Sequence, residues 1–308
     1  MSGMAIHNIS PVKREFVQPT LENFQKKILD PIGVDSDTWI LIGSTGKKDE
    51  SGDLDIGFDI GKAAQSVGLT EDELVSKMLD FAELNGWQFN NRIKMAGKMV
   101  HFGVPIIGET DEKIAQLDVM TTKSLEWTAF KYFAPGQGES RYKGAARGNL
   151  MQAMIKELTI KGEALYENDQ IPYINEEGIE YPGTTFSYIS FNDDGIWKIY
   201  KTFIGKKGLL KNAKKLTDMS KFIGSAPSDF IIPIFGENSG YTKDSFNTFE
   251  SIWKMLFDNS IVKDDKMRDK IVLSFARITI NNLQELPDVV DLYCEDRGIS
   301  YEDAKDGE

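Results

Sequence analysis

The chain has 308 residues, of which 41% are hydrophobic, and its formal net charge is −12. That length allows one large domain or two ordinary ones, and the acidic balance argues against a protein that coats nucleic acid, although a local basic patch could still bind one. A single cysteine, Cys294, excludes an internal disulfide framework. Residues 1–16 contain no apolar stretch of the kind found in a signal peptide, and no apolar run approaches the roughly 20 residues that span a bilayer. We therefore expect a cytoplasmic protein with no membrane partner.

The first elements along the chain are a helix and two strands. Residues 20–33 predict a helix that begins at Thr20 as its N-cap and ends at Pro31. Residues 38–43 predict a short buried strand. Residues 53–60 alternate between polar and apolar side chains, which predicts a strand with its acids on one face and its apolar residues on the other.

The next part of the chain adds a helix and further strands. Residues 69–86 predict a helix because Thr70 and Glu73 form a capping box at its start and Gly86 follows its last turn. Three strands are predicted after it, of which the last two form a hairpin: residues 86–95, 98–107 and 113–122. This order predicts a mixed sheet with a helix packed on one face.

The remaining residues predict mainly helices. A hairpin is expected at residues 186–204, and the acidic residues after Pro287 are expected to fray. The helices are expected at residues 124–133, 147–162, 243–259 and 264–283. The fold class is therefore α+β, a mixed sheet with helices on one face plus a mostly helical C-terminal region. We divide the chain into a lead-in helix, a catalytic core, and a C-terminal β-hairpin and helical domain of unknown role: residues 1–35, 36–187 and 188–308.

Three acids, Asp53, Asp55 and Asp59, occupy alternate positions of one predicted strand. Successive acids on one strand face have Cβ atoms about 6–7 Å apart, and two bare carboxylates that close repel each other. Unless they are exposed to water, which is the alternative, they need a cation, and Mg²⁺ prefers such oxygen ligands. Asp118, flanked by apolar residues on a later strand, supplies a third carboxylate. We expect Asp59 to be a surface acid without a role in the site.

The loop before this strand has the composition of a triphosphate cradle. Gly43 and Ser44 form a turn directly after a predicted strand, where backbone N–H groups and the hydroxyl can meet phosphate. Lys47 adds positive charge, and Ser51 and Gly52 add donors where the backbone can approach closely.

These motifs resemble a known family. The pattern GS, eight residues and DLDI, at residues 43–56, is similar to the signature of the nucleotidyltransferase superfamily that includes DNA polymerase beta. The predicted hairpin at residues 98–122 resembles the one that leads to the third aspartate in the polymerase beta branch, family X. Tyr132 and Phe133 fall where that branch has a Tyr-Phe pair against the sugar of the incoming nucleotide, with plain core aromatics as the alternative. The resemblance covers roughly residues 36–165 and implies a polymerase beta-like palm.

The resemblance implies an enzyme, a nucleotidyltransferase of the EC 2.7.7 type. Such an enzyme transfers a nucleoside monophosphate from a (d)NTP to an acceptor hydroxyl and releases pyrophosphate. The resemblance implies that Asp53, Asp55 and Asp118 are the catalytic residues and the ligands of two Mg²⁺ ions, with Mn²⁺ as the alternative ion. His101 is expected to be a packed strand residue with no part in the chemistry.

The resemblance also implies contacts to the nucleotide and to the acceptor. The residues expected to bind the nucleotide are Gly43, Ser44, Lys47, Ser51, Gly52, Tyr132 and Phe133. The candidate base or acceptor contacts, each equally well explained as a solvated helix residue, are Arg141, Arg147 and Asn149. Two features of family X are missing. The sequence shows no N-terminal helix-hairpin-helix domain with lyase lysines, and residues 188–308 match nothing in the family.

Three hypotheses about the acceptor and the activity stay open. The first is a nucleic acid 3′ end, held by a local basic patch that could equally be a solvated surface: Lys206, Lys207, Lys211, Lys214, Lys215 and Lys221. The second is a tRNA, a protein or a small molecule, as in toxin-like or signalling nucleotidyltransferases. The third is a binding or structural module without activity, which the presence of all three aspartates disfavours.

Overall fold

The computed structural model describes most of the chain, in seven ranges: residues 5–91, 99–109, 112–162, 173–174, 180–181, 183–204 and 214–301. The chain forms two compact units, Met1–Gly144 and Ala145–Glu308. Residues 1–35 therefore belong to the first unit, and the units divide well before residues 187/188, where the sequence predicted the end of the core. Among the helices of the described ranges, none combines the length and the apolar character needed to cross a bilayer.

The first unit contains both strands and helices. Its strands are β1 (Val12–Lys13), β2 (Trp39–Leu41), β3 (Glu50–Ser51), β4 (Leu54–Asp59), β5 (Gln88–Asn91), β6 (Met99–Pro105) and β7 (Ile114–Thr122). Its helices are α1 (Arg14–Phe24), α2 (Ile60–Ser66), α3 (Glu71–Leu84) and α4 (Leu125–Lys131). These elements confirm the α+β class.

The main sheet of the first unit has five strands in the order β2-β4-β7-β6-β5. The central pair, β4 and β7, is parallel, whereas β2 and β6 flank it in antiparallel pairing and β5 pairs antiparallel with β6. The sheet is therefore mixed, as the sequence predicted, and the hairpin of β6 and β7 is confirmed.

The two faces of this sheet differ because side chains alternate along each strand. Leu54, Ile56 and Phe58 of β4 are fully buried and belong to one apolar core together with α1 and α3. Asp55 and the neighbouring polar positions of β4 point to the opposite face. We call this second face, with Asp53, Asp55 and Asp118, the acidic face.

The sequence predicted helices on one face of the sheet only, whereas the structure has helices on both faces. Helix α4 packs against the acidic-face side of the sheet at Gly57, where an added Cβ would lie 2.9 Å from Cγ2 of Thr128. Gly57 is on β4, two residues after Asp55, and its missing side chain admits the helix. The prediction rested on the order of the elements, which does not say which face a helix covers. Gly57, on the same face as Asp55, leaves room for α4 there.

The second unit also combines a sheet with helices. Its strands are β8 (Lys161–Gly162), β9 (Tyr173–Ile174), β10 (Glu180–Tyr181), β11 (Gly183–Asn192), β12 (Gly195–Ile204) and β13 (Lys214–Gly224). Its helices are α5 (Gly144–Thr159), α6 (Pro227–Phe235), α7 (Phe249–Met255), α8 (Asp265–Asn281) and α9 (Asp288–Arg297). The hairpin of β11 and β12 is confirmed. It is part of an antiparallel sheet in the order β13-β12-β11-β8, whose third long strand, β13, was not predicted. From residue 227 onward the named elements are helices, in line with the predicted helical C-terminal region.

Local details of the first helix and strand also differ from the prediction. Helix α1 begins at Arg14, before Pro19, and continues through a π-helical turn to Leu29. Thr20 is not an N-cap. It is buried inside α1, and its hydroxyl accepts a hydrogen bond from the N–H of Ile107 at 3.1 Å. Strand β2 is half-buried rather than buried. The capping box of Thr70 that begins α3 is confirmed.

Candidate functional site

The three acids converge on the acidic face of the first unit. Asp55 and Asp118 are direct partners in the parallel pairing of β4 with β7, so their side chains lie side by side. Asp53 immediately precedes β4. One carboxylate oxygen from each of the three residues can be chosen so that these oxygens all lie within 4.8 Å of one another. This arrangement could hold a metal ion.

Burial and mutual repulsion make this cluster electrostatically costly. The pKa of Asp55 is raised from 3.8 to about 7, first by burial and then by the negative charges of Asp53 and Asp118. Burial also raises the pKa of Asp118, and hydrogen bonds from His101 and Gln116 oppose that rise. A divalent cation bound among the three carboxylates would offset this repulsion, so the residues present fit a metal site.

Asp118 is held from the side by two polar residues of the sheet. His101 faces Asp118 across the antiparallel pairing of β6 and β7, and its Nδ1 lies 2.7 Å from Oδ1 of Asp118. The Nε2 of Gln116 donates to the same oxygen at 2.9 Å. His101 is packed, as expected, with 6% of its surface exposed, but it contacts a candidate metal ligand. Both contacts follow from period-two alternation along the hairpin. The hairpin was predicted from the sequence, but these two contacts were not.

The turn that follows β2 lies directly against the acidic face. Gly43 has a φ of +62°, in the left-handed region that favours glycine. An added Cβ at Gly43 would lie 2.8 Å from Oδ2 of Asp55. The glycine is therefore required twice, by its backbone angle and by the carboxylate beside it.

The loop from Ser44 to Ser51 is braced by its own hydroxyl groups. Thr45 is buried, and its Oγ1 accepts a hydrogen bond from the N–H of Asp55 at 2.8 Å. Ser51 is also buried, and its Oγ accepts from the N–H of Gly46 at 3.2 Å. Ser51 was predicted to bind phosphate, and no role was predicted for Thr45. In the structure, both hydroxyls shape the loop and fix its position relative to Asp55.

The same loop is tied to the segment after α4. Lys47 donates from Nζ to the carbonyl of Ala134 at 2.7 Å, and the same Nζ lies 4.3 Å from the ring centroid of Phe133. Gln137 bonds the loop through backbone and side chain, to the carbonyl of Lys47 and to the N–H of Asp49, at 3.3 Å each. The structure thus brings Lys47 to Phe133, two residues predicted to bind the same nucleotide.

Tyr132 and Phe133 lie beside the Gly43 turn. The N–H of Gly43 donates to the carbonyl of Tyr132 at 3.0 Å, and Gly43 forms an isolated β-bridge with Phe133. Both aromatic side chains are half-buried, and Nζ of Lys131 lies 4.6 Å from the ring centroid of Tyr132. Tyr132 and Phe133 therefore lie next to the Gly43 turn, and that turn lies next to Asp55.

Asp59 has a structural contact of its own. Its Oδ1 accepts a hydrogen bond from the N–H of Lys62 at 2.9 Å, and it is the N-cap of α2. Capping by Asp at this position is a common way to satisfy the first turn of a helix. Asp59 thus has a local task at the end of β4, and it is not a member of the acidic cluster.

The three candidate acceptor residues fall in different surroundings. Arg141 is exposed in the first unit, with its guanidinium 5.4 Å from the ring of Tyr142. Arg147 is buried in the second unit, where its Nε donates to the carbonyl of Phe246. Asn149 donates to Thr279 at 3.2 Å, and to Gln284. The contacts of Arg147 and Asn149 are thus with their own unit, as expected of packed helix residues.

For most lysines of the predicted basic patch, the structure does not describe the side chain. Lys206, Lys207 and Lys211 lie outside the described residues. Lys214 and Lys215 begin β13. Lys221, on the same strand, is exposed and pairs in register with Lys198 of β12.

Comparisons with known proteins add no family assignment. No protein-family model matches the chain, and a search of curated proteins finds no match either. A function for the chain is therefore inferred from its residues and their geometry alone.

Proposed function

We propose that the chain is a metal-dependent nucleotidyltransferase that acts through Asp53, Asp55 and Asp118. The observation that carries the proposal is the convergence of these carboxylates on adjacent parallel positions, with the Gly43 turn directly against Asp55. The donor set is all oxygen and partly buried, which fits Mg²⁺ or Mn²⁺. A pair of such ions would neutralise the triphosphate and lower the pKa of the acceptor hydroxyl.

Each of the three aspartates would have its own role in the transfer. Asp53 and Asp55 hold the nucleotide side of the site, and Asp118 holds the acceptor side. The acceptor oxygen bonds to the α-phosphorus, the bond from that phosphorus to the bridging oxygen breaks, and pyrophosphate leaves. The hydroxyl proton passes to solvent. No covalent intermediate on the protein is needed, because positioning and electrostatics supply the catalysis.

The loop and the aromatic pair would position the nucleotide. The turn at Gly43 and Ser44 presents backbone close to Asp55, which suits a triphosphate that the same acids bind through metal. Lys47 and Ser51 hold the loop in shape, by contacts to Ala134 and Gly46. Tyr132 and Phe133, next to the turn, are then the side chains nearest to a sugar that follows the triphosphate.

A nucleic acid 3′ end is the acceptor that we propose, and a tRNA, protein or small-molecule acceptor is the alternative. The exposed Lys221, in register with Lys198, lies with Lys214 and Lys215 in the described part of the basic segment that supports the first.

The experiment supplies each nucleoside triphosphate with label on the α-phosphate. Primer-template, tRNA and the protein alone serve as acceptors, with Mg²⁺ or Mn²⁺, and both label transfer and pyrophosphate are measured. We expect transfer that requires the metal and that falls at least about 100-fold in Asp53→Asn and Asp55→Asn, in line with the loss of electrostatic stabilisation in other active sites. Activity of the double variant equal to that of the native chain would refute the assignment. Label on tRNA or on the protein itself would favour the alternative acceptor.

A further inference from the structure

The polar residues around Asp118 form a connected chain that runs from the N-terminal segment to the acidic face. His101 and Gln116 both contact Oδ1 of Asp118, at 2.7 Å and 2.9 Å. We infer that His101 and Gln116 are positioning residues, which hold Asp118 through Oδ1 and leave Oδ2 to bind a divalent metal ion. The inference rests on the proposed function only in requiring a metal ion at the three aspartates.

The groups at the two ends of this series of hydrogen bonds determine which atoms donate and which accept. The N–H groups of Ala5 and Ile6 lie 3.1 Å and 3.3 Å from Oε1 of Gln116. A backbone N–H can only donate, so the oxygen of the Gln116 amide must face the N-terminal segment. Its nitrogen therefore faces Asp118 and donates to it. A metal ligand must be ionised, and an ionised Asp118 can only accept, so with metal bound the proton of His101 must lie on Nδ1.

The N-terminal segment is packed tightly enough to hold Gln116 in this orientation. Ile6 is 2% exposed, and Gln116 is 1% exposed. Gly103 of β6 has no side chain at this place, and an added Cβ would lie 3.0 Å from Cγ2 of Ile6. The segment also pairs with the start of β7, where the N–H of Ser10 donates to the carbonyl of Ile114 at 2.8 Å. Gln116 thus has a fixed partner on each side.

Two donors on one oxygen restrict how Asp118 can bind a metal. Oδ1 receives both hydrogen bonds, and the carboxylate cannot rotate without breaking them. Asp118 is 6% exposed, so water does not replace a lost donor at low cost. Partners of this kind orient metal ligands in other proteins, and their loss commonly lowers metal affinity about 10- to 100-fold.

The test compares variants that keep or remove the donors. His101→Leu removes the donor and keeps the volume, whereas His101→Asn keeps an N–H donor near the position of Nδ1. Gln116→Met removes the second donor. Val100→Ala is the matched control, because Val100 precedes His101 on the same strand but is buried on the core face. Mn²⁺ binding to the full chain is measured by the electron paramagnetic resonance of the free ion, and unfolding by urea is measured without metal.

We expect His101→Leu and Gln116→Met each to weaken Mn²⁺ binding about 10-fold or more. His101→Asn should restore affinity to within about threefold, and Val100→Ala should lose stability without losing affinity. Native affinity in His101→Leu or in Gln116→Met would overturn the inference. So would an Asp118→Asn variant that binds Mn²⁺ as the native chain does. If Mn²⁺ binding follows the expected pattern while no nucleotide is ever transferred, the positioning role stands and the proposed function falls.

Discussion

Replacing Asp55 with Asn should stabilise the metal-free protein at neutral and alkaline pH. Burial and the charges of Asp53 and Asp118 raise the pKa of Asp55 from 3.8 to about 7 in the folded chain. Between those two values the folded state keeps a proton that the unfolded state has lost. The free energy of unfolding therefore falls as pH rises from about 4 to about 7, and it stays low above that range. Asn carries no proton to lose, so the variant escapes this loss.

The magnitude follows from the same two values. A pKa difference of one unit is worth about 1.36 kcal/mol, so the rise to about 7 sets an upper limit of about 4 kcal/mol. Asp55 is only half-buried by its surface exposure, so water screens part of the penalty, and we expect a gain of about 2 kcal/mol at pH 8. Below pH 4 both forms are neutral at this position, and the gain should vanish.

The assay is urea unfolding at several pH values between 4 and 8.5, with a chelator present. Asp59→Asn is the matched control, because Asp59 lies on the same strand but caps α2, and Asn caps helices as well as Asp does. Saturating Mg²⁺ should reverse the order of stability, since metal binding stabilises the native carboxylates. An Asp55→Asn variant less stable than the native chain at pH 8 in chelator would refute the reasoning. An equal gain in Asp59→Asn would refute it too.

Three further substitutions test the surroundings of Asp55. Gly43→Ala should cost about 1–2 kcal/mol from its left-handed backbone and should also weaken Mn²⁺ binding, because its Cβ would displace the Asp55 carboxylate. Gly52→Ala is the control, because an added Cβ at Gly52 would have open space around it. An equal loss of Mn²⁺ affinity in the two glycine variants would contradict the close contact between Gly43 and Asp55. Asp59→Ala should lose about 1 kcal/mol in urea unfolding, as lost N-caps do, with unchanged Mn²⁺ affinity; weaker binding would place Asp59 in the site. Thr45→Val should leave the N–H of Asp55 without its partner and cost about 1–3 kcal/mol, and a variant as stable as the native chain would show that the bond is dispensable.

Strand β4 was predictable because its pattern is local, whereas β1 and β3, of two residues each, are too short to show a pattern and were not predicted. Leu54, Ile56 and Phe58 alternate with acids, so period two indicates both the strand and the direction in which Asp55 points. The parallel pairing that brings Asp118 beside Asp55 is not local, since it depends on how β4 and β7 meet in the sheet. The need of closely spaced carboxylates for a cation and the resemblance together supplied the expectation that these acids converge, and the structure bears out the convergence.

The contacts that brace the site differ in how far the sequence reveals them. Thr45 contacts the N–H of Asp55, ten residues further along the chain, and nothing in its neighbours reveals that partner. Gln116 lies two residues before Asp118 on the same face of β7, and the β6–β7 register places His101 opposite Asp118, so both of these contacts follow from the alternation of the hairpin.

In the second unit, tertiary pairing overrode local signals. Strand β13 begins with two lysines and lacks clear alternation, and its pairing with β12 depends on backbone hydrogen bonds that any side chain permits. Helix α9 was missed although it carries both end signals, Pro287 before it and Gly298 in the left-handed region after it. Val290 and Cys294, four residues apart, form its buried stripe.

The most direct test of the central claim is a crystal structure of the full chain with Mn²⁺ and a non-hydrolysable nucleoside triphosphate analogue, with anomalous scattering recorded for manganese. We expect anomalous peaks among the carboxylates of Asp53, Asp55 and Asp118, with the triphosphate along the turn at Gly43 and Ser44. Manganese without peaks at these carboxylates, or a nucleotide bound away from that turn, would contradict it.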